Sequence, residues 1–82
     1  QLITQALAQD KKSATVNIAY SYVLQANFKL TAARDAAMAA VQNNTQLAMA
    51  WARLAELHLS LGELEQGQAA AATQARFHSQ FG

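Results

Sequence analysis

The sequence has no cysteine, no proline and only three glycines among its 82 residues. Without cysteine there is no disulfide and no thiolate metal site, and the redox compartment leaves no mark on the chain. Without proline, and with so little glycine, almost nothing interrupts a helix. Charge is scarce as well: 13% of residues are Asp, Glu, Lys or Arg, and the formal net charge is +1. The six Lys and Arg are scattered, with only Lys11 and Lys12 adjacent. A nucleic-acid binder clusters its cations on one face, so nucleic acid is not an expected partner and a helical DNA-binding domain is disfavoured.

Long apolar runs are missing too. The uncharged stretch from Ser13 to Phe28 is too short for a bilayer and contains Ser, Thr, Asn and Gln. The stretch from Ala36 to Ala52 is broken by the polar run Gln42 to Gln46. No membrane span is therefore expected. The chain shows no signal-peptide pattern and starts at Gln1 instead of Met, which suits a piece of a longer protein.

Catalytic patterns are equally lacking. There is no G-x-S-x-G turn, no phosphate-cradling glycine loop and no Cys nucleophile. His58 and His78 stand twenty residues apart, without the H-x-x-x-H spacing of a zinc pair. The acids are Asp10, Asp35, Glu56, Glu63 and Glu65; the last two flank a helix start, where negative charge offsets the helix dipole. No enzyme, metal or cofactor is expected.

What the chain does contain is alanine, twenty of them, within a 52% apolar composition. That share excludes disorder, and alanine is the strongest helix former. An all-α fold follows, with a core limited by the short chain. High alanine with low charge leans towards a bacterial composition.

A shift of 34 residues superimposes the sequence on itself without a gap. Ala14 falls on Ala48, Leu30 on Leu64, and Ala36-Ala37 on Ala70-Ala71. Tyr20-Ser21 falls on Leu54-Ala55, again a large residue followed by a small one. Ile3, Ala6 and Leu7 join the register at Ala37, Ala40 and Val41.

Within each period the spacing is helical. Trp51, Leu54, Leu57, His58 and Leu61 form one stripe, and Ala33, Ala36, Ala37, Ala40 and Val41 another. Polar or turn-tolerant residues mark the breaks: Asp10 to Ser13, Ala26-Asn27, Asn43 to Gln46 and Leu61-Gly62. The pattern predicts five helices, at about 2–9, 14–26, 30–42, 46–61 and 64–79. Ser13 is the expected N-cap of the second, while Asn27 and Gly62 suit the left-handed backbone that closes a helix.

Helices approach to about 8 Å only where small side chains line the contact. Ala33, Ala36, Ala37, Ala40, Ala70 and Ala71 supply that surface, against Tyr20, Leu24, Trp51 and Leu54. Met38 and Met49 are expected as gap fillers, His58 and Trp51 as packing residues. Arg53 and Glu56, three apart, are expected to pair on the surface.

The run Trp51-x-x-Leu54-Ala55-x-x-His58, followed by Gly62, Leu64 and Ala71, resembles the tetratricopeptide repeat signature. Tyr20, Ser21, Leu24, Leu30, Ala33, Ala37 and Ala40 fit its slots in the preceding copy, where Asn17 stands at the Trp slot and Phe28 at the first Gly slot. Gly67 and Gln74 replace the usual alanines, and the usual prolines are missing. The resemblance implies one solenoid domain over 1–82: the last helix of a preceding repeat (1–13), then repeats at 14–47 and 48–82.

It also implies a scaffold that binds a protein, as a peptide or helix, in a concave groove or mediates assembly. Slot by slot, that groove presents Thr15, Ile18, Tyr22 and Gln25 from one hairpin and Met49, Ala52, Glu56 and Leu59 from the next. The family's clamp for a terminal carboxylate needs cations where this chain has Ile18, Tyr22, Ala52 and Glu56. An apolar or amphipathic segment suits these residues better. The alternative is a structural helical spacer or self-association segment without a ligand. Neither terminal helix has the polar outer face of a solenoid cap, so the array is expected to continue, or to self-associate through these ends as a homo-oligomer.

Overall fold

The computed structural model describes residues 13–81. The helix expected over 2–9, and with it the partial repeat at 1–13, lies outside the described residues.

The described chain is all-α, in four helices: α1 (Ala14–Ala26), α2 (Leu30–Asn43), α3 (Ala48–Ser60) and α4 (Leu64–Phe81). Ser13 caps α1, its Oγ accepting the Val16 N–H at 3.2 Å. No helix is long and apolar enough to cross a membrane among these residues.

The 34-residue period in the sequence has a counterpart in the helix ends. α1 and α3 begin at 14 and 48 and end at 26 and 60; α2 and α4 begin at 30 and 64. The turns repeat bond for bond. Phe28 N–H donates to the Gln25 carbonyl and Lys29 N–H to that of Leu24, both at 2.9 Å. In the second hairpin Gly62 N–H donates to Leu59 (3.0 Å) and Glu63 N–H to His58 (2.8 Å). This is the paired 6→1 and 5→2 pattern of a Schellman cap, which satisfies carbonyls a helix end leaves open.

The left-handed residue of the first cap is Phe28, at φ 61°, and not Asn27, at φ −97°. Asn27 stays right-handed and uses its side chain instead, Nδ2 donating to the Val23 carbonyl at 2.9 Å. Gly62 takes the left-handed position of the second cap as expected, at φ 77°.

The third described helix starts at Ala48, two residues later than the pattern placed it. Asn44 Oδ1 accepts the Gln46 N–H at 3.2 Å, a local turn that holds the backbone out of the helix. Trp51 fastens the same turn, its indole N–H donating to the Thr45 carbonyl at 2.8 Å.

α1 packs along α2 and α3 along α4, while α2 also packs against α3. α2 is thus covered on two sides, and its alanines show it: Ala33, Ala37 and Ala40 are fully buried. Ile18, Leu24, Leu54 and Leu57 fill the space beside them, with Tyr20, Leu30, Met38, Leu47 and Trp51 half-buried at the edge. On α4 the side facing α3 is buried through Gly67 and Ala70. Ala71, expected in the packed stripe with Ala70, is exposed. Its counterpart Ala37 lies under α3, and no described helix covers α4 in the same way.

Gly67 belongs to the contact between α3 and α4. A Cβ there would stand 2.7 Å from Leu59 Cδ2 and 2.8 Å from Leu59 Cγ. The glycine lets the Leu59 side chain lie across the α4 backbone, where an alanine would push it away.

Candidate functional site

Helical periodicity puts Thr15, Ile18, Tyr22 and Gln25 on one face of α1, and Met49, Ala52, Glu56 and Leu59 on one face of α3. Five of these eight residues surround a cavity of about 310 Å³ between the helices: Ile18, Tyr22, Met49, Ala52 and Glu56. Tyr22 and Met49 are more than half exposed, while Ile18 forms the buried floor. Thr15 is exposed but does not line the cavity. Gln25 stands beside it and is engaged through Arg53. Leu59 is turned to α4, against Gly67, and takes no part in the cavity wall.

The sixth lining residue is Arg53, and it departs from expectation. It does pair with Glu56, Nη1 to Oε1 at 3.1 Å, but its own side chain is only 4% exposed. Nε donates to Ser21 Oγ at 2.8 Å and Nη2 to Gln25 Oε1 at 2.6 Å, both across to α1. The guanidinium carbon sits 3.7 Å from the centroid of the Tyr22 ring. A planar fork with five donors suits this socket as an ammonium does not.

Ser21 makes the socket possible. It is fully buried, donates to the Ile18 carbonyl at 2.6 Å and so presents its lone pairs to Arg53. No buried side-chain polar atom among the described residues lacks a partner. The cavity is therefore an apolar hollow with one buried cation in its wall and one exposed carboxylate, Glu56, at its rim. Local spacing carries no signal for this: Ser21 and Gln25, four apart on α1, offer the acceptors from 32 and 28 positions before Arg53.

A second polar cluster lies at the turn end of the hairpins. Glu63 accepts from Arg34 Nη1 (2.6 Å) and from His58 Nδ1 (2.8 Å), tying α2 to the α3–α4 turn. Arg34 also holds Asp35 at 3.0 Å. His58 is buried as a packing residue should be, yet it also has this charged partner. The hydrogen bond from His58 outweighs the upward push of burial and, with the charge of Arg34, holds the Glu63 carboxyl below its ordinary value. Glu63 thus does more than offset a helix dipole. No group of three or more His, Cys, Asp or Glu side chains comes together to hold a metal among the described residues.

Compared with known proteins, the chain matches no protein-family model and no curated protein sequence.

Proposed function

We propose that this chain is a tetratricopeptide-like scaffold whose α1–α3 face holds a peptide or helix from a partner protein. The observation that carries the reading is the convergence of exposed apolar groups. Two of the five exposed large apolar side chains of the described residues, Tyr22 and Met49 at 55% and 54% exposure, line one hollow over the buried Ile18. Concave apolar sites with a few fixed polar groups are where ligands and helices dock. The matching 34-residue offsets of helices and turns support stacking of like hairpins as the scaffold.

A selection from a random-peptide library tests the reading. The wild-type chain is the bait and a Tyr22→Ser, Met49→Ser variant the counter-bait, with both shown to melt alike. Peptides bearing apolar residues at helical spacing, bound at least tenfold more weakly by the variant, are expected. Peptides that bind both chains equally would remove the groove from the account.

A second reading has one observation in its favour. Ala69, Ala71, Ala72 and Ala75 leave a small-residue face of α4 exposed, suited to close stacking on another helix. On this reading the chain is a self-association segment without a ligand. Sedimentation over a concentration range then shows association that Ala71→Glu abolishes and Tyr22→Ser, Met49→Ser does not.

A further inference from the structure

Phe28 brings three features together. It occupies a left-handed backbone position, φ 61°, that favours glycine, and the matching position in the second hairpin is glycine. Its exposure is 92%, the highest among the exposed large apolar side chains of the described residues. The two cap hydrogen bonds hold it rigidly at the tip of the α1–α2 turn, so the ring projects from a fixed support. A strained, solvated phenylalanine where glycine closes the same turn points to a use for the ring beyond closing that turn.

We propose that the occupant of the α1–α3 cavity is the Phe28–Lys29 turn of a second copy of this chain. This rests on the groove reading above and names its partner. Size fits: an apolar cavity of roughly 150 Å³ already accepts a benzene ring, and this one is about 310 Å³. Chemistry fits as well. Ile18, Met49 and Ala52 present an apolar wall, and the half-exposed Tyr22 ring at its edge can meet an aromatic knob edge to face. Charge fits at the rim, where the exposed Lys29 following the knob meets the exposed Glu56. Knob and cavity are different surfaces, so the contact is head-to-tail, and a chain engaged at one surface keeps the other open. One side chain and its turn make a small interface, so association is expected between high micromolar and millimolar concentration. The rigid turn limits the ordering that docking requires.

Two complementary variants test the proposal. Phe28→Gly removes the knob, keeps the cavity and relieves the backbone. Ala52→Trp fills the cavity from an exposed helical position and keeps the knob. Amide spectra of the wild type should move with concentration at Ile18, Tyr22, Met49 and Arg53, and at Phe28 and Lys29. Each variant alone should show at least a tenfold weaker dependence. Unlabelled Ala52→Trp added to labelled Phe28→Gly should restore the shifts at the cavity residues and leave residues 27–29 still. The proposal is overturned if Phe28→Gly associates as the wild type does, if the mixture leaves the cavity residues unmoved, or if the wild type shows no concentration dependence to millimolar. Any of these with groove-selected peptides still bound removes the second copy as occupant and leaves the groove itself in place.

Discussion

The Arg53 guanidinium stacks on the Tyr22 ring at 3.7 Å, so a side chain of α3 is seated in a socket built wholly on α1 except for Glu56. α1 and α3 share little other surface. Arg53 therefore fixes the spacing of the two helices that form the cavity.

Truncating this residue should loosen the pair. Arg53→Ala removes the hydrogen bonds to Ser21 and Gln25 and the packed stem, with an expected loss of about 2–3 kcal/mol. Arg53→Lys keeps the charge but not the fork or the ring contact, with an expected loss of about 1–2 kcal/mol. Urea unfolding of the three chains measures both. A lysine variant as stable as the wild type would show that the socket does not read the guanidinium.

The two hairpin caps form a matched pair for backbone strain. Phe28→Gly removes a left-handed penalty of roughly 1–2 kcal/mol and gives part of it back as unfolded-chain entropy, for an expected gain of about 0.5–1 kcal/mol. Gly62→Ala should destabilise by about 1 kcal/mol, and through the backbone alone, since a Cβ there meets nothing within 4 Å. Thermal melts should move in opposite directions, by roughly 4–8 °C per kcal/mol for a domain of this size. Melts that move together would contradict the shared cap geometry.

Gly67 and Leu59 should be strongly coupled. Gly67→Ala gains about 1 kcal/mol of helix propensity, but its Cβ displaces the Leu59 side chain, at a cost of about 0.5–1.5 kcal/mol. The net change in the wild type should be near zero. In a Leu59→Ala background the obstruction is gone, and the same substitution should stabilise by about 1 kcal/mol. A double-mutant cycle that comes out additive would contradict the contact.

The Glu63 cluster sets an acid limb. His58 and Arg34 lower the folded-state carboxyl pKa from its ordinary 4.5. A depressed carboxyl stabilises the fold fully above the unfolded value, and that contribution fades as pH falls through the folded value. Wild-type stability should therefore drop below about pH 4.5, and more steeply than that of Glu63→Gln. Unfolding midpoints measured from neutral to strongly acidic pH compare the two. Parallel curves would remove the cluster from the acid response.

The sequence disclosed the helices and hid the socket, for a physical reason. Helix periodicity and turn residues act locally, so α1 could be bounded from the Ser13 cap and the polar residues after Ala26. The start of α3 lies later than apolar spacing predicts because Asn44 satisfies the Gln46 N–H with its own side chain, a competition that spacing does not register. Side-chain preference favours Asn27 as the left-handed residue, while the cap bonds to Leu24 and Gln25 place the turn at Phe28, the position that stands at the first Gly slot. The burial of Arg53 leaves no local mark, because its partners lie 28 and 32 positions away on α1. The charge pattern showed only Glu56, three residues on. Of the expected groove, Ile18 and Tyr22 from α1 converge with Met49, Ala52 and Glu56 from α3, and Leu59 is drawn aside by Gly67, whose open backbone matters only once α4 is folded against α3.

Mapping a groove-selected peptide on the labelled chain by amide and methyl spectroscopy gives the most direct test of the α1–α3 groove. Saturable shifts are predicted at Ile18, Tyr22, Met49, Ala52 and the Arg53 side chain, with the outer face of α4 silent. Shifts centred on Ala71, Ala72 and Ala75, with the α1–α3 residues unmoved, would contradict it.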